Sequence, residues 1–276
     1  MSEPSELATL LPAGEFRTLM WPGSGTPIVL LHGLTGLADV WGETVNALGG
    51  YGPAWALDQR GHGDSPAPVS GYSIAEYVGD VVAFVRTLRL QQPHLVGHSM
   101  GARVAMVAAA RHPELFGSVS IVDIGPERWT ANWRDTVAAI ERMPATMTEA
   151  EALAFFTRNR PTPAARQRGY LSRLRDAGEG RLTWRGSPEA WKQTVKSHRS
   201  RDFWEEWGRI AIPALLIRGG DSNELRPAVA ARMRDRNPGV RYQEFAGVGH
   251  NIPLIAPETL AAALAAFWKT VPAARS

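Results

Sequence analysis

The residues best equipped for chemistry lie in Gly97-His98-Ser99-Met100-Gly101, where a serine stands between two glycines directly after the apolar run at 93–96. A strand that turns sharply into a helix strains the backbone of the serine and tolerates only small neighbours, a need that glycine meets on both sides. A serine so placed can attack a carbonyl once a neighbouring base takes its proton. The chain has no cysteine, which excludes disulfides, thiolate nucleophiles and cysteine-type zinc sites. None of its seven histidines forms a pair with metal-ligand spacing, so neither a cofactor nor a metal is expected.

Such a serine needs a strand before it, a helix after it, and further groups brought to the same place. The apolar runs at 27–31, 52–57, 93–96, 119–122, 212–217 and 240–245 read as strands, with 16–21 as an edge strand. Helices are expected at 38–48, from 74 to about 88, 100–111, 226–236 and 257–268. The helix after Ser73 carries a capping box completed by Glu76, and the helix at 100–111 is rich enough in alanine to lie close on a sheet. Alternating strands and helices imply a mostly parallel sheet covered on both faces, whose ligands bind beyond the C-terminal ends of the strands. His32, Ser99, Asp123 and His250 all fall at such ends. Asp123 follows the strand at 119–122, before Gly125-Pro126 stops it.

Between 126 and about 207 the character changes to predicted helices, with no convincing strand and six of the ten tryptophans. These six, Trp129, Trp133, Trp184, Trp191, Trp204 and Trp207, read first as core, with one or two left to line a pocket. From 126 to 209 there are fourteen Arg and two Lys against eleven Asp and Glu, although the whole chain has a net charge of only +3. Such an excess is either a solvated face or an electropositive funnel for an anionic ligand. Interspersed acids and the lack of a recognition motif argue against nucleic acid. At 276 residues, the expected organisation is one α/β core at 1–125 and 209–276 with an inserted helical cap at 126–208. No run is long enough for a membrane span, and Glu3 and Glu6 with no basic stretch argue against a secretory leader, so a cytoplasmic location is expected. The expected partner is a small-molecule substrate, with neither nucleic acid nor membrane, and a homodimer stays open.

Four motifs in order, His32-Gly33, the loop from Asp58 to Ser65, the turn from Gly97 to Gly101 and Gly249-His250, make the chain resemble the α/β-hydrolase family over nearly its whole length. The resemblance implies an eight-stranded sheet, a triad of serine, acid and histidine, and a cap over the pocket. It makes Ser99 the nucleophile and His250 the base, and it supplies the oxyanion hole from the backbone N–H groups of Leu34 and Met100. The family's more usual acid position falls on Asn223, with Asp221 and Glu224 close by. Asp123 occupies the family's alternative acid position and is the acid chosen here. His32 and His62 read as loop organisers, His98 as packing beneath the oxyanion region, and His94, His112 and His198 as structural or exposed.

Serine at the turn argues against the dehalogenase and epoxide hydrolase branches, which use aspartate there. It leaves esters, lactones, amides and thioesters, with a carbon–carbon hydrolase, perhydrolase, acyltransferase or slow-turnover ligand receptor as alternatives on the same triad. Because guanidinium binds carboxylate in bidentate fashion, Arg142, Arg160 and Arg173 are candidate contacts for a small carboxylate-bearing substrate. An acid 24 residues after the serine, together with the arginine-rich segment, is similar to a branch of the family acting on a dicarboxylate enamide.

Overall fold

The computed structural model describes residues 3–127, 133–158 and 162–272. The chain begins with an antiparallel pair, β1 (Ser5–Leu11) and β2 (Gly14–Trp21). Next come β3 (Ile28–Leu31), α1 (Gly42–Leu48), β4 (Ala54–Leu57), α2 (Ile74–Thr87), β5 (His94–His98), α3 (Met100–Arg111) and β6 (Ser118–Val122). The intervening segment contains α4 (Trp133–Glu141), β7 (Thr146–Met147), α5 (Glu149–Thr157), α6 (Ala164–Leu171), β8 (Leu174–Gly178), β9 (Arg181–Trp184) and α7 (Pro188–His198). The alternating pattern resumes after α8 (Trp204–Arg209) with β10 (Ala214–Gly219), α9 (Pro227–Arg236), β11 (Arg241–Phe245), the short α10 (Ile252–Ile255) and α11 (Pro257–Trp268).

Eight strands form one sheet in the order β1-β2-β4-β3-β5-β6-β10-β11, parallel from β4 to β11. Successive residues of its inner strands are buried on opposite faces. Val29 and Leu31 pack with α2 and α3, while Ile28 and Leu30 pack with α1 and α11. That two-sided burial explains why these strands read as continuous apolar runs rather than alternating ones. Helix α3 lies close to the sheet, and every residue from Met100 to Ala109 is buried. Ser73 and Glu76 form the capping box at the start of α2.

Three expectations are corrected. The strand at 16–21 is not at the edge, because β1 covers it. The alternation in β1 is weak: of its seven residues only Thr9 and Leu11 are buried. The region 38–48 is not one helix: a 3-10 turn at Ala38–Trp41 precedes α1, where Asp58 accepts the Ala38 N–H at 2.6 Å. The intervening segment does contain strands, with β7, β9 and β8 forming a small antiparallel sheet. Its strands are short, β8 is exposed beyond Leu174 and β9 is only half-buried, so they lack the apolar signal of a buried strand. The turn Glu179-Gly180, with φ of 53° and 70°, joins β8 to β9 as a two-residue hairpin of the type I′ kind.

The two ends of the segment are tied to each other, Phe203 N–H donating to Pro126 O at 2.7 Å, and Ser187 N–H joins it to the loop after β4 through Gly61 O at 2.9 Å. The buried Arg103 of α3 donates to the carbonyls of Gly125, Glu127 and His198. Part of the basic excess is held in ion pairs, among them Arg175 and Arg185 with Asp64, Arg181 with Glu151 and Arg209 with Glu205. Arg175 and Arg209 are solvated, whereas Arg185 is largely covered.

Candidate active site

Strand β5 delivers Ser99 at its C-terminal end in a backbone conformation that side chains rarely adopt, φ 54° and ψ −117°. Close packing makes glycine necessary on either side. A Cβ on Gly97 would stand 2.3 Å from Gly101 O, and one on Gly101 would stand 2.3 Å from Leu31 O. The sharp turn therefore comes from backbone segments pressed together, with the strain held by the surrounding sheet and α3.

Asp123 leaves the end of the neighbouring β6, also at positive φ, 56°. It is fully buried, and its carboxylate is fully engaged. Oδ1 accepts the Gly219 N–H at 2.8 Å, while Oδ2 accepts Ser222 Oγ–H at 2.5 Å and His250 Nδ1–H at 2.7 Å. A buried carboxylate is costly unless such donors surround it, and two of the three come from the end of β10 and the loop after it. On the other side of the imidazole, Ser99 Oγ–H donates to Nε2 at 2.9 Å. With Nδ1–H committed to Asp123, Nε2 carries the lone pair that can accept the serine proton.

The acid alternatives lie elsewhere. Asp221 and Asn223 are exposed, and among the described residues the hydrogen bond to His250 Nδ1 comes from Asp123 alone. Glu224 faces the cleft near Ser99 without reaching that nitrogen. Sequence reasoning missed Ser222, the side chain that fixes the acid. Its position in the loop at the acid site was the available signal.

His98 follows the expectation of packing beneath the turn at Gly33, where a Cβ on that glycine would stand 3.1 Å from His98 Nδ1. In addition, His98 Nε2–H donates to the backbone carbonyl of His250 at 2.8 Å, which fixes the loop carrying the base. Burial, with the adjacent His250 adding to it, pushes the His98 imidazole down to about 3, so it stays neutral. His32 and His62 organise their loops. His32 Nδ1–H donates to Gly33 O and its Nε2 accepts from Gln59 N, while His62 Nδ1–H donates to Arg60 O.

The turn after β3 packs against the serine. Gly36 N–H closes it onto Gly33 O at 3.0 Å, and a Cβ on Gly33 would stand 3.1 Å from Ser99 Cβ. Met100, the first residue of α3, and Leu34 both line the space around Ser99. That space has two lobes sharing Leu34, Ser99, Arg199 and Glu224. The larger, about 310 Å³, contains His250 and Arg173; the smaller, about 40 Å³, runs beneath α7.

Of the three arginines named from sequence, Arg173 lines the larger lobe, Arg142 is exposed and lines neither, and Arg160 lies outside the described residues. Arg142 falls at the solvent side of the α4 end, where helical spacing alone could not reveal its direction. The Arg173 guanidinium sits 5.7 Å from the ring centroids of both Phe156 and Tyr170, which stack on each other. Burial lowers its pKa, and no carboxylate among the described residues forms an ion pair with it. Arg199, which sequence reasoning missed, lines both lobes and donates to Thr136 Oγ1 at 2.7 Å. None of the described tryptophans lines either lobe. Trp184, Trp191 and Trp207 are buried, and Trp129 lies outside the described residues.

A family model for the alpha/beta hydrolase fold matches residues 26–257. A 2-(acetamidomethylene)succinate hydrolase of Mesorhizobium japonicum is 29% identical over 252 residues, covering 89% of this chain and 88% of that protein. An N-formylmaleamate deformylase of Pseudomonas putida is 27% identical, covering 85% of each chain. The crystal structure of an E-2-(acetamidomethylene)succinate hydrolase superimposes with a TM-score of 0.88 at 26% identity, covering 97% of this chain and all of that one. With these likenesses beside the fold, the chain belongs to the α/β-hydrolase family and is a hydrolase.

Proposed function

We propose that this protein is a serine hydrolase cleaving an amide or ester bond, lactones included, of a small carboxylate-bearing substrate. Ser99 is the nucleophile, His250 the base and Asp123 the orienting acid. The observation that carries the reading is the continuous hydrogen-bonded chain from Ser99 Oγ through His250 to Asp123, at 2.9 and 2.7 Å.

In the first step Ser99 Oγ attacks the carbonyl carbon while its proton passes to His250 Nε2, and the carbonyl π pair moves onto oxygen. The Leu34 and Met100 N–H groups receive that oxyanion, an interaction worth roughly 3 kcal/mol of barrier per donor. Collapse restores the carbonyl and breaks the bond to nitrogen or oxygen, with His250 Nε2–H protonating the leaving atom. Water then repeats the sequence on the acyl-serine, releasing the acid and restoring Ser99. Asp123 stabilises the imidazolium throughout and keeps its own charge. The segment at 126–208 acts as the cap, and its Arg173 receives a substrate carboxylate. The relatives named for a succinate and a maleamate support an amide whose substrate carries carboxylate. A guanidinium in the cleft without an ion pair among the described residues supports the same choice, because bidentate pairing would satisfy both partners.

Matched pairs of amides and esters, carboxylated or neutral, test this at low and high salt. Higher kcat/KM for the carboxylated member, eroded by salt and lost in Arg173→Met, is expected. Equal turnover of both members at every salt concentration contradicts the anionic substrate.

A further inference from the structure

The two lobes meet at Ser99, yet the general acid serves only one of them. His250 lines the larger lobe and is absent from the smaller. Because the protonated imidazole must hand its proton to the departing atom, the leaving group has to occupy the side where His250 stands. The acyl group is left with the other side. That side offers about 40 Å³, against roughly 10–15 Å³ for one water measured the same way, so it holds about two or three heavy atoms.

Arg103, Thr194, Arg199 and Glu224 supply the polar part of its wall, and Ile124, Val195 of α7 and His198 at the end of the same helix also line it. The His198 ring is buried, meets Tyr77 edge-on with centroids 5.0 Å apart, and has no hydrogen-bond partner among the described residues at either nitrogen. An imidazole so placed acts as a flat, rigid wall and makes no hydrogen bond that its removal would break.

We infer that the small lobe is an acyl pocket limiting the substrate to a short acyl group of up to about three heavy atoms beyond the carbonyl carbon, with His198 and Val195 setting the limit. The carboxylate recognised by Arg173 then belongs to the leaving half. This rests on Ser99 being the nucleophile.

The test is a series of n-alkylboronic acids from methyl to hexyl, which add reversibly to a nucleophilic serine, read by thermal shift. A matching series of acyl esters of one carboxylated phenol, from acetyl to hexanoyl, is read by kcat/KM. Wild type should bind the short boronic acids and lose affinity along the series. Its kcat/KM should fall at least about tenfold for each methylene beyond the limit. His198→Ala and, independently, Val195→Ala should move the limit to longer chains, read as a rise in the ratio of hexanoyl to acetyl kcat/KM. Adducts and turnover indifferent to chain length in wild type would overturn the acyl pocket. A wild-type limit unmoved in both folded variants would overturn its assignment to these two residues. Failure of every boronic acid and ester on wild type would instead remove the nucleophile on which the inference stands.

Discussion

The sheet edge and the segment at 126–208, the proposed cap, contribute to one cleft under opposite rules. At the edge, Ser99, Asp123 and His250 leave buried strands and loops, and each polar atom facing the reaction is tied to a neighbour, down to Ser222 on the acid and His98 on the base loop. In the cap, α6 buries none of its described residues, β8 buries only Leu174, and Arg173 reaches the cleft with no anionic partner among the described residues. The difference teaches where each task resides. Under the proposed function, chemistry that depends on tenths of an ångström sits on the closely packed layer, and recognition of the substrate carboxylate sits on the more exposed one.

Substitutions at the edge should have the largest effects. Ser99→Ala or His250→Ala should lower kcat by about a millionfold with the fold intact by circular dichroism, because the reacting groups act as a unit. Asp123→Asn should cost roughly ten-thousandfold, since an amide neither holds the tautomer nor stabilises the imidazolium. Asp221→Asn should leave kcat within a few-fold. Comparable losses for the two aspartates would break the assignment of the acid.

The cap should respond differently. Arg173→Met should raise KM for a carboxylated substrate by about 10- to 100-fold, the worth of one charged hydrogen-bonded contact, with a smaller change in kcat. Arg142→Met should leave both constants unchanged. Steady-state kinetics on the same substrate pair separates the two, and an equal loss in both variants would remove the distinction between facing the cleft and facing solvent.

Much of this site is legible in the order of its amino acids. The glycines of the turn reflect backbone contacts closer than any side chain allows, so local composition reports a local constraint. Asp123 can be placed at the functional edge because it ends an apolar strand, while its choice as the acid rests on the family resemblance. The parallel strands are visible through continuous burial, and the boundaries of α3 and α11 coincide with the observed ones. The cap is less legible because its short strands carry few buried residues and its arginines all look alike in sequence. Whether Arg142 or Arg173 enters the cleft is decided by tertiary placement. Even so, Gly178-Glu179-Gly180 is a turn signal from which the β8–β9 hairpin could have been found.

Smaller effects should appear in the pH dependence of stability, shared by both layers. Burial pushes His94, stacked on Trp268 in the core, down to about 4, and His198 in the cap down to about 3. Each is neutral in the fold and takes a proton more readily once unfolded. The stability this contributes is present above about pH 6.5 and is lost as pH falls toward the folded value, at up to about 1.4 kcal/mol per pH unit for each group. Chemical denaturation between pH 7 and pH 5 should show that slope reduced in His94→Leu and in His198→Leu. An unchanged slope in both would mean that neither imidazole is held neutral by burial.

The most direct test of the central claim is to quench the enzyme during turnover of a short-chain activated ester and map the covalent adduct by peptide mass spectrometry. One acyl group on the peptide containing Ser99 is predicted, accumulating further when deacylation is slowed and absent in Ser99→Ala. Full turnover in Ser99→Ala, or an acyl group mapped to another residue, would contradict it.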